Sequence, residues 1–188
     1  MQYLIIINGP PGSGKSYLGN LLSTNLMLPY INKDDIKELL FNNLGWSTRE
    51  RSKELGIASF EILIYFIKNL IHSSHSCIIE AAFHPKFDTK AFQGIKHLYN
   101  VEFIQIFCTA DTSSLFQRFK KRILSGERHP GHVDKVKNFQ EFETMVNSNK
   151  NGKLEIGGAY IEINTNDFSG LNYKNLIDHV NSLVNTNE

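Results

Sequence analysis

The chain has 188 residues, 41% hydrophobic and 21% charged, which suits one globular domain with a real core and excludes a disordered or low-complexity protein. Twenty Lys and Arg against 19 Asp and Glu leave a net charge of +1. That balance argues against a large nucleic-acid footprint but not against a site that grips one phosphorylated group. Cys77 and Cys108 both lie in apolar, strand-like runs and read as buried thiols rather than a disulfide or metal pair. No basic segment precedes the first apolar run, and no apolar run approaches membrane-spanning length, so the cytoplasm is the expected compartment.

The first strand is expected at about Tyr3 to Asn8, where Tyr3-Leu4-Ile5-Ile6-Ile7 is a continuous apolar run of the kind a buried parallel strand requires. Gly9-Pro10-Pro11-Gly12-Ser13-Gly14-Lys15-Ser16 follows and fits G-x-x-x-x-G-K-[ST] at every specified position. Gly9, Gly12 and Gly14 let the backbone curl so that successive N–H groups face one concavity, a nest for phosphate oxygens. Lys15 brings an ammonium to the outer phosphates, and Ser16 offers a hydroxyl to a magnesium ion. The helix from here to about Asn25 directs its positive end at the same anion. Strand, loop and helix together are the context this motif needs.

A short second strand at Pro29 to Asn32 leads into a helix through about Phe41, with Asp34 or Asp35 as its cap. Ser47 and Glu50 read as a capping box opening a long helix to about His72. The polar first turns of that helix and its apolar remainder place one end at a cleft and the other in the core. Ser76 to Glu80 is the third strand, Pro85 to Leu98 a helix, Val101 to Cys108 the fourth strand and Asp111 to Leu124 another helix. The polar loop from Ser125 to His132 reads as mobile. A short helix follows around Asn138 to Val146, then an Asn-, Lys- and Gly-bearing excursion from Asn147 to Gly158. A fifth strand runs from Ala159 to Ile163 and a last helix from Leu171 to Val184. Alternating strands and helices imply a parallel sheet covered on both faces, with ligands at the carboxyl ends of its strands.

Those ends carry the candidate chemistry. Asp34, just past the second strand, is placed to accept the proton of an attacking hydroxyl. Glu80 ends the third strand and is a candidate to hold a magnesium-bound water or a substrate hydroxyl, although an Asp is the commoner residue there. Arg118 and Arg122 lie one helical turn apart, and Arg128 follows in the loop. Guanidinium groups closing on a triphosphate would neutralise charge on the phosphoryl group in flight. Lys120 and Lys121 read as solvated. His129 and His132, with Pro-Gly between them and no third ligand nearby, read as loop contacts to nucleotide or substrate rather than a metal site. Asn32-Lys33-Asp34-Asp35 mimics the guanine-reading N-K-x-D, but it lies too close behind the phosphate loop. The Asp167-to-Gly170 segment comes too late for a GTPase switch, so the expected nucleotide is ATP.

The phosphate loop, the Lys33-Asp34-Asp35-Ile36-Lys37 segment, the Ile78-Ile79-Glu80-Ala81 strand end, Leu115-x-x-Arg118-x-x-x-Arg122 and Gly126-Glu-Arg128-His-Pro-Gly-His132 together resemble the small P-loop kinases. These are typified by polynucleotide 5′-hydroxyl kinase, gluconate and shikimate kinases, chloramphenicol phosphotransferase and zeta toxin. The resemblance is strongest to the "predicted kinase" branch with an AAA-like domain. It implies a single-domain, three-layer P-loop fold with a five-stranded parallel sheet in the order 2-3-1-4-5 and a lid at about 125–135. It implies ATP and Mg2+ as cofactors and a small-molecule hydroxyl acceptor. Gly9 to Tyr17 and Arg118, the latter near the adenine, would bind nucleotide. Lys15, Asp34, Arg122 and Arg128 would be catalytic, and Ser16 and Glu80 would hold the metal. The long helix lies where such kinases hold the acceptor, making Arg49, Arg51 and Lys53 selection candidates. The alternatives are a 5′-hydroxyl nucleic-acid kinase and a nucleotide-binding regulator with little turnover.

Overall fold

A computed structural model of the chain describes residues 2–133, 138–148, 152–168 and 170–185. In chain order the elements are β1 (Gln2–Asn8), α1 (Lys15–Leu26), β2 (Tyr30–Asn32), α2 (Lys33–Leu44), α3 (Arg49–His72), β3 (Cys77–Glu80), α4 (Pro85–Leu98), β4 (Val101–Thr109), α5 (Thr112–Leu124), a 3-10 turn (Pro130–His132), α6 (Phe139–Asn147), β5 (Ala159–Asn164) and α7 (Tyr173–Asn185). The five strands form one parallel sheet in the order β2-β3-β1-β4-β5, as the resemblance implied.

The apolar run of β1 serves both faces of the sheet. Leu4 and Ile6 join Cys77, Ile79, Phe103 and the α3 residues Leu63, Ile67 and Ile71 in one core. Tyr3, Ile5 and Ile7 join Leu18, Leu22, Ile106, Cys108 and Val180 in the other. A strand buried on both faces has no polar side to alternate with, hence the unbroken run. Cys77 and Cys108 point into opposite cores and are both free thiols, pushed up to about 12 by burial. The register sets Ile7 beside Glu80 and Asn32 beside Glu80, so three strand ends converge where β1 runs into the glycine loop.

The helix starts differ from the sequence expectation. Asn32, not Asp34 or Asp35, caps α2, its Oδ1 accepting from the Asp34 amide at 2.8 Å. Thr48, not Ser47, caps α3, its Oγ1 accepting from the Arg51 amide at 3.1 Å. Thr48 has the extended backbone a cap needs, and its use moves the frame by one residue. Asp111 stands at the start of α5 without making a side-chain cap bond. By length and composition α3 does meet the criterion for a membrane span, contrary to expectation. Its Leu63, Ile64, Ile67 and Ile71 are instead packed against the sheet, while Ile57, Tyr65 and Phe66 face outward.

The loop after α5 is docked rather than loose. His132 is buried, and its backbone oxygen accepts from Arg49 Nη1 at 2.8 Å and from Ser52 Oγ at 3.2 Å. The His132 ring meets Glu38 Oε1 at 2.9 Å, and His129 stacks on Phe41 with ring centroids 5.1 Å apart. Four helix-borne partners outweigh the polarity and glycines that suggested mobility. The last residues of the expected lid, 134 and 135, and residues 149–151 of the excursion lie outside the described residues.

Candidate active site

The elements above wall a cleft of about 1120 Å³, lined from one end by Pro11, Gly12 and the residues from Gly14 to Tyr17 and from the other by residues of α2 and α3. At its floor the glycine loop is fixed by close approach. Gly9 has φ +147°, and a Cβ there would stand 2.3 Å from the Cys108 carbonyl oxygen. Gly14 has φ +79°, and a Cβ would fall 2.2 Å from the Phe168 ring. No side chain caps α1, so its first N–H groups stay directed at the loop, and Ser13 Oγ is buried without a partner among the described residues. This is a cradle with unspent donors, and it fits a polyphosphate. Lys15 Nζ donates to Pro10 O at 3.0 Å, folding the ammonium back over the loop. Gly9→Ala should cost roughly 1–3 kcal/mol from backbone strain alone. Thermal unfolding should then fall by roughly 2–4 °C for each kcal/mol.

Glu80 is buried and accepts from Ser16 Oγ at 3.1 Å and from the Tyr30 hydroxyl through a short bond. Burial, and then the Glu80 charge, push the Tyr30 hydroxyl above its ordinary value, so it remains a donor. The Ser16 hydroxyl and the Glu80 carboxylate are hard oxygens side by side, a donor set that suits Mg2+. Among the described residues no group of three His, Cys, Asp or Glu is placed to hold a metal ion.

Because Asn32 takes the capping role, the Asp34 carboxylate is left for the cleft. Its Oδ2 lies 3.8 Å from Arg128 Nη1, and its side chain is 48% exposed. Burial pushes its pKa up, but the surrounding positive groups, His132, Arg128, Lys33 and Lys15, outweigh that and hold it below the usual carboxylate value. His132 is itself driven down by burial and by Arg128, while Asp34 and the ring's bond to Glu38 oppose this. Neighbouring Asp35 goes the other way, raised by partial desolvation and by the charges of Glu80, Glu38 and Asp34.

On α5, Arg118 ties the loop to the segment after β5. Its Nη2 donates to Thr165 O at 2.8 Å and to Asn166 O at 2.9 Å, its Nη1 to Gly12 O at 3.4 Å, and its guanidinium lies 4.4 Å over the Phe168 ring. Arg122 lines the cleft from the next turn, and Arg128, mostly buried, lines it from the loop with its guanidinium 5.7 Å from the Phe119 ring. Tyr17, Phe168 and Tyr173 form an aromatic edge beside the phosphate loop. Of the three basic residues proposed on α3, only Arg49 reaches the cleft; Arg51 pairs with Glu54 at 3.1 Å and Lys53 is exposed. Lys120 and Lys121 are exposed, as expected.

The sequence reading missed Tyr30, Lys37, Glu38, His132 as a buried wall residue, and Phe168. Lys37 had a signal, standing one turn beyond Asp34 on the same helix. Phe168 had none, because only the path of the chain after β5 brings it over Gly14.

Comparison with known proteins agrees with this architecture. A putative kinase from Chloroflexus aurantiacus J-10-fl, in crystal form, superposes with a TM-score of 0.91 at 31% identity, covering 96% of this chain and 97% of that one. Shikimate kinase from Acinetobacter baumannii, solved with shikimate, gives a TM-score of 0.59 at 14% identity over 100% of this chain and 95% of its own, a likeness of fold alone. A cytidylate kinase from Sulfurisphaera tokodaii is 45% identical over 51 residues, 27% of this chain and 28% of that protein. The family described as AAA domain matches residues 5–137, which include the phosphate loop, Asp34, Glu80, both α5 arginines and Arg128; the chain therefore belongs to that family, as a kinase-like P-loop nucleotide-binding protein.

Proposed function

We propose that this protein is an ATP- and Mg2+-dependent kinase that phosphorylates a hydroxyl of a small-molecule acceptor. The observation that carries the reading is Asp34: a carboxylate released from capping, ionised at neutral pH, and facing the same cleft as the phosphate loop. The acceptor oxygen forms a bond to the γ-phosphorus, the bond to the β–γ bridging oxygen breaks, ADP departs, and the hydroxyl proton passes to Asp34. Gly9, Pro10, Pro11, Gly12, Ser13, Gly14, Lys15, Ser16 and Tyr17 bind the nucleotide. Arg118 orders the Phe168 edge where the adenine rests. Arg122 and Arg128 offset charge on the transferring group. Ser16 and Glu80 would hold Mg2+, whose contribution when bound is to neutralise the β- and γ-phosphate oxygens.

The test is ADP release from Mg-ATP with and without a panel of hydroxylated metabolites, sugars, antibiotics and 5′-hydroxyl oligonucleotides. An acceptor that raises release above the water background is the expected result. A response to oligonucleotides alone would favour the nucleic-acid reading. A flat panel despite clear ATP binding would favour a nucleotide-gated regulator and count against the kinase.

A further inference from the structure

Lys37 lies on α2 one turn beyond Asp34 and lines the same cleft. It is only 8% exposed, a state lysines rarely adopt unless paired. Among the described residues its Nζ has no hydrogen-bond acceptor; it sits 5.3 Å from the centroid of the Phe41 ring. Gly56 of α3 gives it room, since a Cβ there would stand 3.5 Å from both Lys37 Cε and Nζ. Burial brings the ammonium down to about 8, and Lys33, Arg49 and Arg128 add to the effect while Asp34 opposes it. Arg49, from the first turn of α3, lines the cleft beside it and is anchored by its bond to His132 O.

A largely buried cation flanked by Lys33, Arg49 and Arg128, with Asp34 as the opposing charge, favours a further anion in the cleft. Lys37 and Arg49 also belong to neither the phosphate loop nor α5, which carry the nucleotide-side cations Lys15, Arg118 and Arg122. The anion for Lys37 is therefore to be sought in the acceptor, with Arg49 beside it. Resting on the kinase reading above, we propose that the acceptor bears an oxyanion, carboxylate or phosphate, close to its reacting hydroxyl, and that Lys37 with Arg49 binds it. The spacing agrees: residues three apart on a helix have Cβ atoms roughly 5–6 Å apart, so an anion on Lys37 leaves a hydroxyl a few bonds away at Asp34.

Titration calorimetry on the full chain, loaded with Mg2+ and the non-hydrolysable analogue AMPPNP, tests this with matched probes. These are gluconate against glucose, glycerate and glycerol 3-phosphate against glycerol, and cytidine 3′-phosphate against cytidine. Binding should be confined to anionic members. Lys37→Met, which removes the charge and keeps the apolar stem, should weaken it by about tenfold or more, and Lys37→Arg should restore most of it. Affinity for Mg-AMPPNP should stay within about threefold of the wild type. Binding of carboxylates only would assign a hydroxy acid, and of phosphates only a phosphomonoester; either supports the proposal. Equal binding of the neutral members, unchanged anion affinity in Lys37→Met, or no anion binding up to about 10 mM would overturn it. Failure of the wild type to bind AMPPNP would overturn the kinase reading and this proposal with it.

Discussion

Asp34→Asn should abolish phosphoryl transfer while leaving ATP binding intact. The side chain keeps its size, and the cap on α2 survives because it uses the Asp34 amide and the Asn32 side chain. What is lost is the proton acceptor, and general-base contributions run to about 10²–10⁴-fold in rate. Acceptor-dependent ADP release and a direct nucleotide-binding titration separate the two quantities. The charge change also has a stability signature. A carboxyl held below its ordinary value contributes stability that is complete above the unfolded pKa and is lost as pH falls through the folded one. The acid limb of the wild-type unfolding curve should therefore be steeper than that of the Asn variant. Transfer that persists at the wild-type rate would move the base elsewhere, with Asp35 and Glu80 the next residues to change.

Lys15→Ala has the second large effect, and it acts on the nucleotide itself. The ammonium lies over the loop at 3.0 Å from Pro10 O, a contact a γ-phosphate would replace with a charge-assisted one. Removing a positioned cation from the reacting phosphate costs about 10²–10³ in turnover. Mg-ATP affinity should fall along with it, measurable by titration of the wild type and variant in parallel. Lys15 also helps hold Asp34 ionised, so its loss should raise the Asp34 pKa. Lys15→Met, which keeps the aliphatic stem, distinguishes lost charge from lost packing. If both affinity and turnover survive Lys15→Ala, the phosphate-loop reading is wrong.

Local chemistry wrote much of this protein into its sequence. A glycine pattern followed by Lys15 and Ser16 has one physical use when a strand precedes it and a helix follows, and the structure builds that unit. The all-apolar β1 announced a strand buried on both faces, and alternation with helices announced a parallel sheet whose carboxyl ends carry the site. Arg118 and Arg122 could be paired from helical spacing alone. Each of these inferences depends on neighbours within a turn or a strand's length, so the sequence contains what is needed.

Tertiary structure decided the rest, because the deciding partner is remote in the chain. Whether Asp34 caps or faces the cleft turned on Asn32 and on a lid residue, Arg128, far along the sequence. The register that sets Glu80 beside Asn32 buries it against Tyr30 and Ser16, partners that its place at a strand end did not name. The loop from Ser125 has the composition of a mobile lid, yet Arg49, Ser52, Glu38 and Phe41 hold its histidines in place. Lys37 stands one turn beyond Asp34 by spacing alone, but its burial follows from α3, whose Gly56 packs against its side chain. Burial and charge compensation are properties of the assembled cleft, and they determine which of the residues visible in the sequence can take part in its chemistry.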